Sequence, residues 1–192
     1  MPRPPRQDYP GAWHHIINRG AGQNDIFQDD WDRNCFIDAL VGSAIRTECE
    51  IHCYCLMSNH YHLLVCSADG RLSDFMKFAC GRFVKLTNKR RRSDGPSFKG
   101  RFWSTEISGD AHLIQASRYI HLNPVNARLS VAPEEWRWSS AAAYVGKCQP
   151  PDWLRIRTIL SMVDPSSQTS KYAQYIREGV DEATMKRYAE AE

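Results

Sequence analysis

The ten residues Leu56-Met57-Ser58-Asn59-His60-Tyr61-His62-Leu63-Leu64-Val65 constrain this chain more than any other stretch. Side chains alternate across a strand, so His60 and His62 share one face while Tyr61, Leu63 and Val65 point to the other. Ser58-Asn59 reads as a two-residue hairpin turn, since Asn tolerates positive φ. Ile51 to Met57 is then the outgoing strand and His60 to Cys66 the returning one, with Met57 facing His60 and Cys55 facing His62. Two imidazoles so placed can grip one metal ion. By itself a His-x-His on a strand is more often a pair of solvated or hydrogen-bonded histidines, and the support has to come from elsewhere in the chain.

The periodicities on either side give the hairpin its setting. Trp13 to Arg19 reads as a strand, followed by Gly20-Ala21-Gly22 and a polar loop. Asp29 or Asp30 caps a helix from Trp31 to about Arg46, with Phe36, Ala39, Leu40 and Ile45 on its inner side. Leu72 to about Arg92 shows helical spacing at Leu72, Phe75, Met76, Ala79, Phe83 and Leu86, and a strand follows from about Arg101 to Ile107. The order β-α-β-β-α-β predicts an α+β fold, a ferredoxin-like or RRM-like antiparallel sheet with both helices on one face and the histidine strand beside the first.

The other face is open for one more helix. It starts near Ser108 or Asp110 and ends at about Asn123, because the residue before Pro124 is biased away from the α region. Leu113, Ala116 and Ile120 form its apolar stripe. On a neighbouring stripe His112, Gln115, Tyr119 and Asn123 follow at helical spacing, which puts a phenol one turn before an amide able to bind metal.

With 192 residues, 42% of them hydrophobic, the chain can bury one good core. The expectation is a main domain over 1–145 and a helical extension over 146–192 packed on it, with short helices at Tyr172 to Arg177 and Glu182 to Tyr188. No apolar run approaches the roughly 18 residues of a membrane span, and Met1 to Pro10 has no apolar leader core, so a cytoplasmic protein is expected. Seven cysteines without a Cys-x-x-Cys pair fit reduced, buried thiols. Charge is unevenly spread. Arg82, Lys85, Lys89, Arg90, Arg91, Arg92, Lys99 and Arg101 stand against Asp94 alone, a net +7 in a chain whose remainder is −4. Such a run is often only a solvated helix face. Here its concentration is the footprint expected for a phosphate backbone, and Phe83, Phe98, Phe102 and Trp103 are interleaved with it, to stack on bases or to fill the core.

The motif Asn59-His60-Tyr61-His62-Leu63-Leu64-Val65, the element Gly100-Arg101-Phe102, the block Arg118-Tyr119-Ile120-His121-Leu122-Asn123-Pro124-Val125 and the later Trp136-Arg137-Trp138-Ser139-Ser140 resemble the REP-associated tyrosine transposases, of the HUH superfamily of single-tyrosine DNA nucleases. The resemblance runs from about Pro10 to Tyr144. It departs at Ser58, where Pro is expected, and around Asn126 and Arg128, where Arg and Gly are expected; these positions bear on subgroup and target sequence. The resemblance implies Tyr119 as nucleophile, His60, His62 and Asn123 as ligands of Mg²⁺ or Mn²⁺, and a monomer or homodimer acting on single-stranded DNA with an imperfect hairpin. Its chemistry is strand cleavage through a 5′-phosphotyrosine, with release of a 3′-hydroxyl that can later reverse the step. Expected DNA contacts are Asn18 and Arg19 at the end of the first strand, then Arg82, Lys85, Lys89, Arg90, Lys99, Arg101 and Arg118.

Two other readings compete. A hairpin-binding, repressor-like protein on the same fold would use the basic and aromatic residues without cutting. A structural zinc site would draw on Cys55 beside His62, with His52, Cys53 and Cys66 nearby, although Cys-x-Cys on a flat strand spreads its sulfurs poorly. His14, His15 and His121 read as single histidines without a partner.

Overall fold

A computed structural model describes residues 7–164, 166 and 168–179. Four strands, β1 (Ala12–Arg19), β2 (Cys49–Leu56), β3 (His60–Ser67) and β4 (Trp103–Ile107), form one antiparallel sheet in the order β2-β3-β1-β4. The hairpin closes where Met57 N–H donates to the His60 carbonyl at 3.0 Å, and Cys55 lies opposite His62. Strand β2 carries an irregularity between Ile51 and Cys53, so His52 is an extra residue there.

Helices α1 (Asp30–Thr47) and α2 (Leu72–Arg91) cover one face. Helix α1 starts where Asp29 accepts from the Asp32 N–H at 3.0 Å, as an N-cap should. Phe36 packs its ring 4.7 Å from Tyr61 and 5.3 Å from Phe83, tying α1, β3 and α2 into the core. Ile45, expected on the inner side of α1, is 79% exposed, and Ser43 and Thr47 take the buried positions at this end of the helix.

Helix α3 (Asp110–Asn126) covers the opposite face. It does not stop before Pro124 but runs through it. Pro124 removes only the one hydrogen bond its missing N–H would make, and Leu122, Asn123 and Pro124 are all buried, so packing overrides the local preference. The true end is a Schellman motif. Leu129 N–H donates to the Pro124 carbonyl at 2.8 Å and Arg128 N–H to the Val125 carbonyl at 2.9 Å, with Arg128 at φ 58°.

Trp136 to Ser140 lie along the free edge of β2. Leu56 N–H donates to the Trp138 carbonyl at 2.8 Å, and Trp136 Nε1 donates to the Leu56 carbonyl at 3.1 Å. This block covers an edge that would otherwise be open to pairing. A four-residue helix α4 (Ala141–Tyr144), then α5 (Ile156–Val163) and α6 (Gln168–Arg177), complete the described chain on the α3 side. The expected helix at Glu182 to Tyr188 lies outside the described residues.

Candidate active site

The register of β1 on β3 sets Arg19 opposite His60, Ile17 opposite His62 and His15 opposite Leu64. All of these therefore face α3. The rings of His60 and His62 lie 5.1 Å apart at 89°, and the buried His15 stacks on His62 at 5.3 Å. From above, Tyr119 of α3 sets its ring edge-on at 5.7 Å from His62 and 5.8 Å from His15. The phenol is 3% exposed, so it is a buried part of this cluster and not the half-wet side chain that a polar stripe suggests. One turn on, Asn123 donates from Nδ2 to the Tyr119 carbonyl at 3.1 Å, which fixes the orientation of its amide, and it hydrogen-bonds His62.

His62 and His15 are held neutral. Burial pushes the His62 pKa well below its usual value, helped by His60 and His15, against a smaller opposing pull from Asn123. Burial, with a contribution from His112, lowers His15 to about 3. Neutral imidazoles are what a cation needs, and their outer hydrogen bonds select the ligating nitrogen. His60 Nδ1 lies 2.7 Å from Asn59 Oδ1, an oxygen that can only accept, so Nδ1 bears the proton and Nε2 the lone pair. His62 Nδ1 lies 3.1 Å from His15 Nε2. Two imidazoles and one oriented amide are the donors that could hold a divalent cation here.

A zinc site of cysteines and histidines fits less well. Cys53 Sγ donates to Tyr144 Oη at 3.2 Å and Cys55 Sγ to Met57 Sδ at 3.6 Å, so both thiols are engaged within the fold. Among the described residues no group of three or more His, Cys, Asp or Glu is placed to hold a metal ion, the histidine cluster included, so the candidate cation site consists of two imidazoles and an amide.

Three histidines read as partnerless have partners. His15 bonds His62, His14 Nε2 lies 3.3 Å from Asp8, and His121 bridges Tyr172 Oη at 2.8 Å and Ser140 Oγ at 2.7 Å. For His15 a signal existed: once β1 and β3 are paired, it shares a face with His62. For His121 the partners are too distant in sequence for any local pattern.

Some cations of the basic segment pair with carboxylates at the start of α1, and others are exposed. Arg90 donates to both carboxylate oxygens of Asp29, at 2.9 and 2.6 Å, and lies 4.6 Å over the Trp31 ring; that guanidinium holds the Asp29 carboxyl at about 2. Arg91 pairs with the buried Asp32. These two pin the end of α2 to the start of α1. Arg82, Lys85 and Lys89 are exposed on α2, across the sheet from Tyr119, while Lys99 and Arg101 are exposed on the segment rounding the sheet edge. Asn18 also faces α2 and donates to the Gly100 carbonyl at 3.2 Å, whereas Arg19 faces the histidines. Arg118 is buried, stacked 4.0 Å over Tyr175 and donating to its carbonyl at 3.4 Å.

No curated protein matches the sequence. Among solved structures, a REP-associated tyrosine transposase bound to a REP hairpin has a similar fold, at 16% identity over 81% of this chain and 92% of that chain, with a TM-score of 0.65. A transposase-like protein from Deinococcus radiodurans R1 is matched at 17% identity over 62% of this chain and 95% of its own, with a TM-score of 0.44. The family described as "Transposase IS200 like" matches residues 9–123, which takes in every element from β1 to the turn of α3 that carries Tyr119 and Asn123. This chain belongs to the IS200-like transposase family.

Proposed function

We propose that the protein cuts and rejoins single-stranded DNA beside an imperfect hairpin, with Tyr119 as nucleophile. The observation that carries the reading is the placement of the phenol ring against His62, one helical turn from Asn123. A protein that only binds hairpins has no use for that juxtaposition. Family membership supports a DNA-processing role, and the motif resemblance, with the fold shared with a hairpin-bound relative, supports the hairpin substrate.

In the proposed reaction Tyr119 Oη attacks the scissile phosphorus. The new bond is Oη–P, the P–O3′ bond breaks, and the phenol proton is balanced by the proton gained on the released 3′-hydroxyl. The 5′ strand end stays attached as a phosphotyrosine, so the bond energy is kept for rejoining. A divalent cation, Mg²⁺ or Mn²⁺, held by His60, His62 and Asn123 would draw charge from the non-bridging phosphate oxygens. His15 and Asn59 hold the two imidazoles, and Asn123 locks the turn below Tyr119.

Hairpin oligonucleotides from the flanks of the protein's own gene test this. With Mg²⁺ or Mn²⁺, the wild type is expected to nick them and to form an adduct stable in detergent on the 5′ end of the downstream fragment, leaving a free 3′-hydroxyl on the other. Tyr119→Phe should lose both products and keep hairpin binding, and chelation should stop nicking without unfolding the protein. Nicking by Tyr119→Phe would overturn the assignment.

A further inference from the structure

On the face of the sheet away from Tyr119, a cavity of about 410 Å³ opens between α2 and the segment leading into β4. Phe98, Phe102 and Met76 give it apolar walls, the buried Asn18 lies at its base, and the exposed Lys77 and Arg101 stand at its rim. Its size falls in the range of small-ligand sites, roughly 300–1,000 Å³. Aromatic walls with a cationic rim are the chemistry that takes an unpaired base and its phosphate together. The base of the cavity is rigid as well as polar. Asn18 Nδ2 donates to the Gly100 carbonyl at 3.2 Å while its Oδ1 accepts from the Arg19 N–H at 2.9 Å, so the amide cannot turn over.

The cavity is also in reach of the candidate active site. Asn18 and Arg19 are neighbours on β1 and so point to opposite faces, Arg19 on the side of His60. The histidine pair and the cavity therefore occupy the same end of β1, one on each face. Lys99 N–H donates to the Arg19 carbonyl at 2.9 Å, which folds the basic segment around that end. A substrate strand that followed this end of β1 from Tyr119 past Arg19 would round the sheet to the cavity. This path gives the solvent-facing cations of α2, on the far side from the chemistry, a phosphate backbone to follow.

We infer that this cavity receives one unpaired nucleobase of the substrate strand, its ring against Phe98 and Phe102 and its phosphate against Lys77 and Arg101. The inference rests on the single-stranded DNA substrate proposed above.

The test is an abasic scan of the single-stranded flank of a hairpin oligonucleotide that the wild type nicks, read as affinity. Removing the base at one position is expected to weaken wild-type binding about tenfold, with little effect at neighbouring positions. Ser73→Trp places an indole at the mouth of the cavity from an exposed position on α2. It should lose the same tenfold on the intact oligonucleotide and lose nothing further on the abasic one. Lys77→Met, at a second exposed position, should flatten the salt dependence of binding by about 0.7 while bare-hairpin affinity is unchanged. A flank without a sensitive position, or variants that bind as the wild type does, would overturn the inference. Because the wild type nicks in each of these outcomes, they leave the nuclease reading standing; a wild type that nicks no hairpin removes both.

Discussion

His15 lies between the candidate ligand and the candidate nucleophile. Its Nε2 is 3.1 Å from His62 Nδ1, and its ring meets Tyr119 edge-on. If His62 ligates through Nε2, its Nδ1 carries the proton and donates to His15, so His15 acts as a positioning residue for the ligand. His15→Ala leaves a buried imidazole without that acceptor and should lower nicking by about 10–100-fold. His15→Gln keeps an acceptor oxygen and should recover part of the loss. Ring nitrogen NMR shifts of His62 give a readout independent of activity: Nδ1 should be protonated in the wild type and mixed in His15→Ala. A purely structural role predicts lower stability with an unchanged tautomer. Arg128 makes a different point at this scale. The resemblance puts Gly in this neighbourhood, and the structure gives the reason, since Arg128 closes the Schellman motif in the left-handed region that Gly adopts without strain.

At the scale of elements, α6 clasps the helix that bears Tyr119. Tyr172 Oη donates to Ser117 Oγ at 3.0 Å and accepts from His121 Nδ1 at 2.8 Å, while Arg118 stacks on Tyr175. These contacts flank Tyr119 on both sides in sequence. Tyr172→Phe strands the buried His121 Nδ1 and removes a donor from Ser117, and should destabilise the protein by about 1–3 kcal/mol, read from urea unfolding. An unchanged midpoint would mean that α6 is not coupled to α3. Most elements were legible because each carries its own period: two for His60-Tyr61-His62 after a two-residue turn, three to four for Leu72 to Leu86. The misreadings have a common cause, which is packing that no local pattern encodes. Burial carries α3 through Pro124, and the irregularity at His52 breaks the alternation of β2. In the candidate site, Tyr119, His60, His62 and Asn123 were legible from spacing and resemblance. His15 became legible only once β1 was paired with β3. The charge run read as one surface because the partners of Arg90 and Arg91, at Asp29 and Asp32, lie some sixty residues upstream.

The whole molecule stores an acid sensitivity in its buried imidazoles. Burial lowers His15 and His121 to about 3 and His52 to about 4, and holds His62 well below its usual value. Above pH 6.5, the ordinary histidine pKa, these rings are neutral in both folded and unfolded chains and stability is independent of them. As pH falls below 6.5 the unfolded chain takes up protons that the fold refuses. Because the folded pKa values are depressed, stability is present above the unfolded value and is lost progressively down to the folded ones. Each ring contributes up to about 1.4 kcal/mol per pH unit. Four together approach about 5 kcal/mol per unit, against a total stability of about 5–15 kcal/mol for an ordinary domain. Asp29, held at about 2 by Arg90, adds a loss of the same sign at still lower pH. Stability from urea unfolding is therefore expected to be level from pH 8 to 6.5 and to collapse between 6.5 and 4, with a slope that reports several protons bound on unfolding. His121→Gln should make that slope shallower by close to one proton, whatever it does to the absolute stability. A profile flat down to pH 5 would show that these histidines accept protons inside the fold, and the neutral imidazoles on which the cation site depends would then be in question.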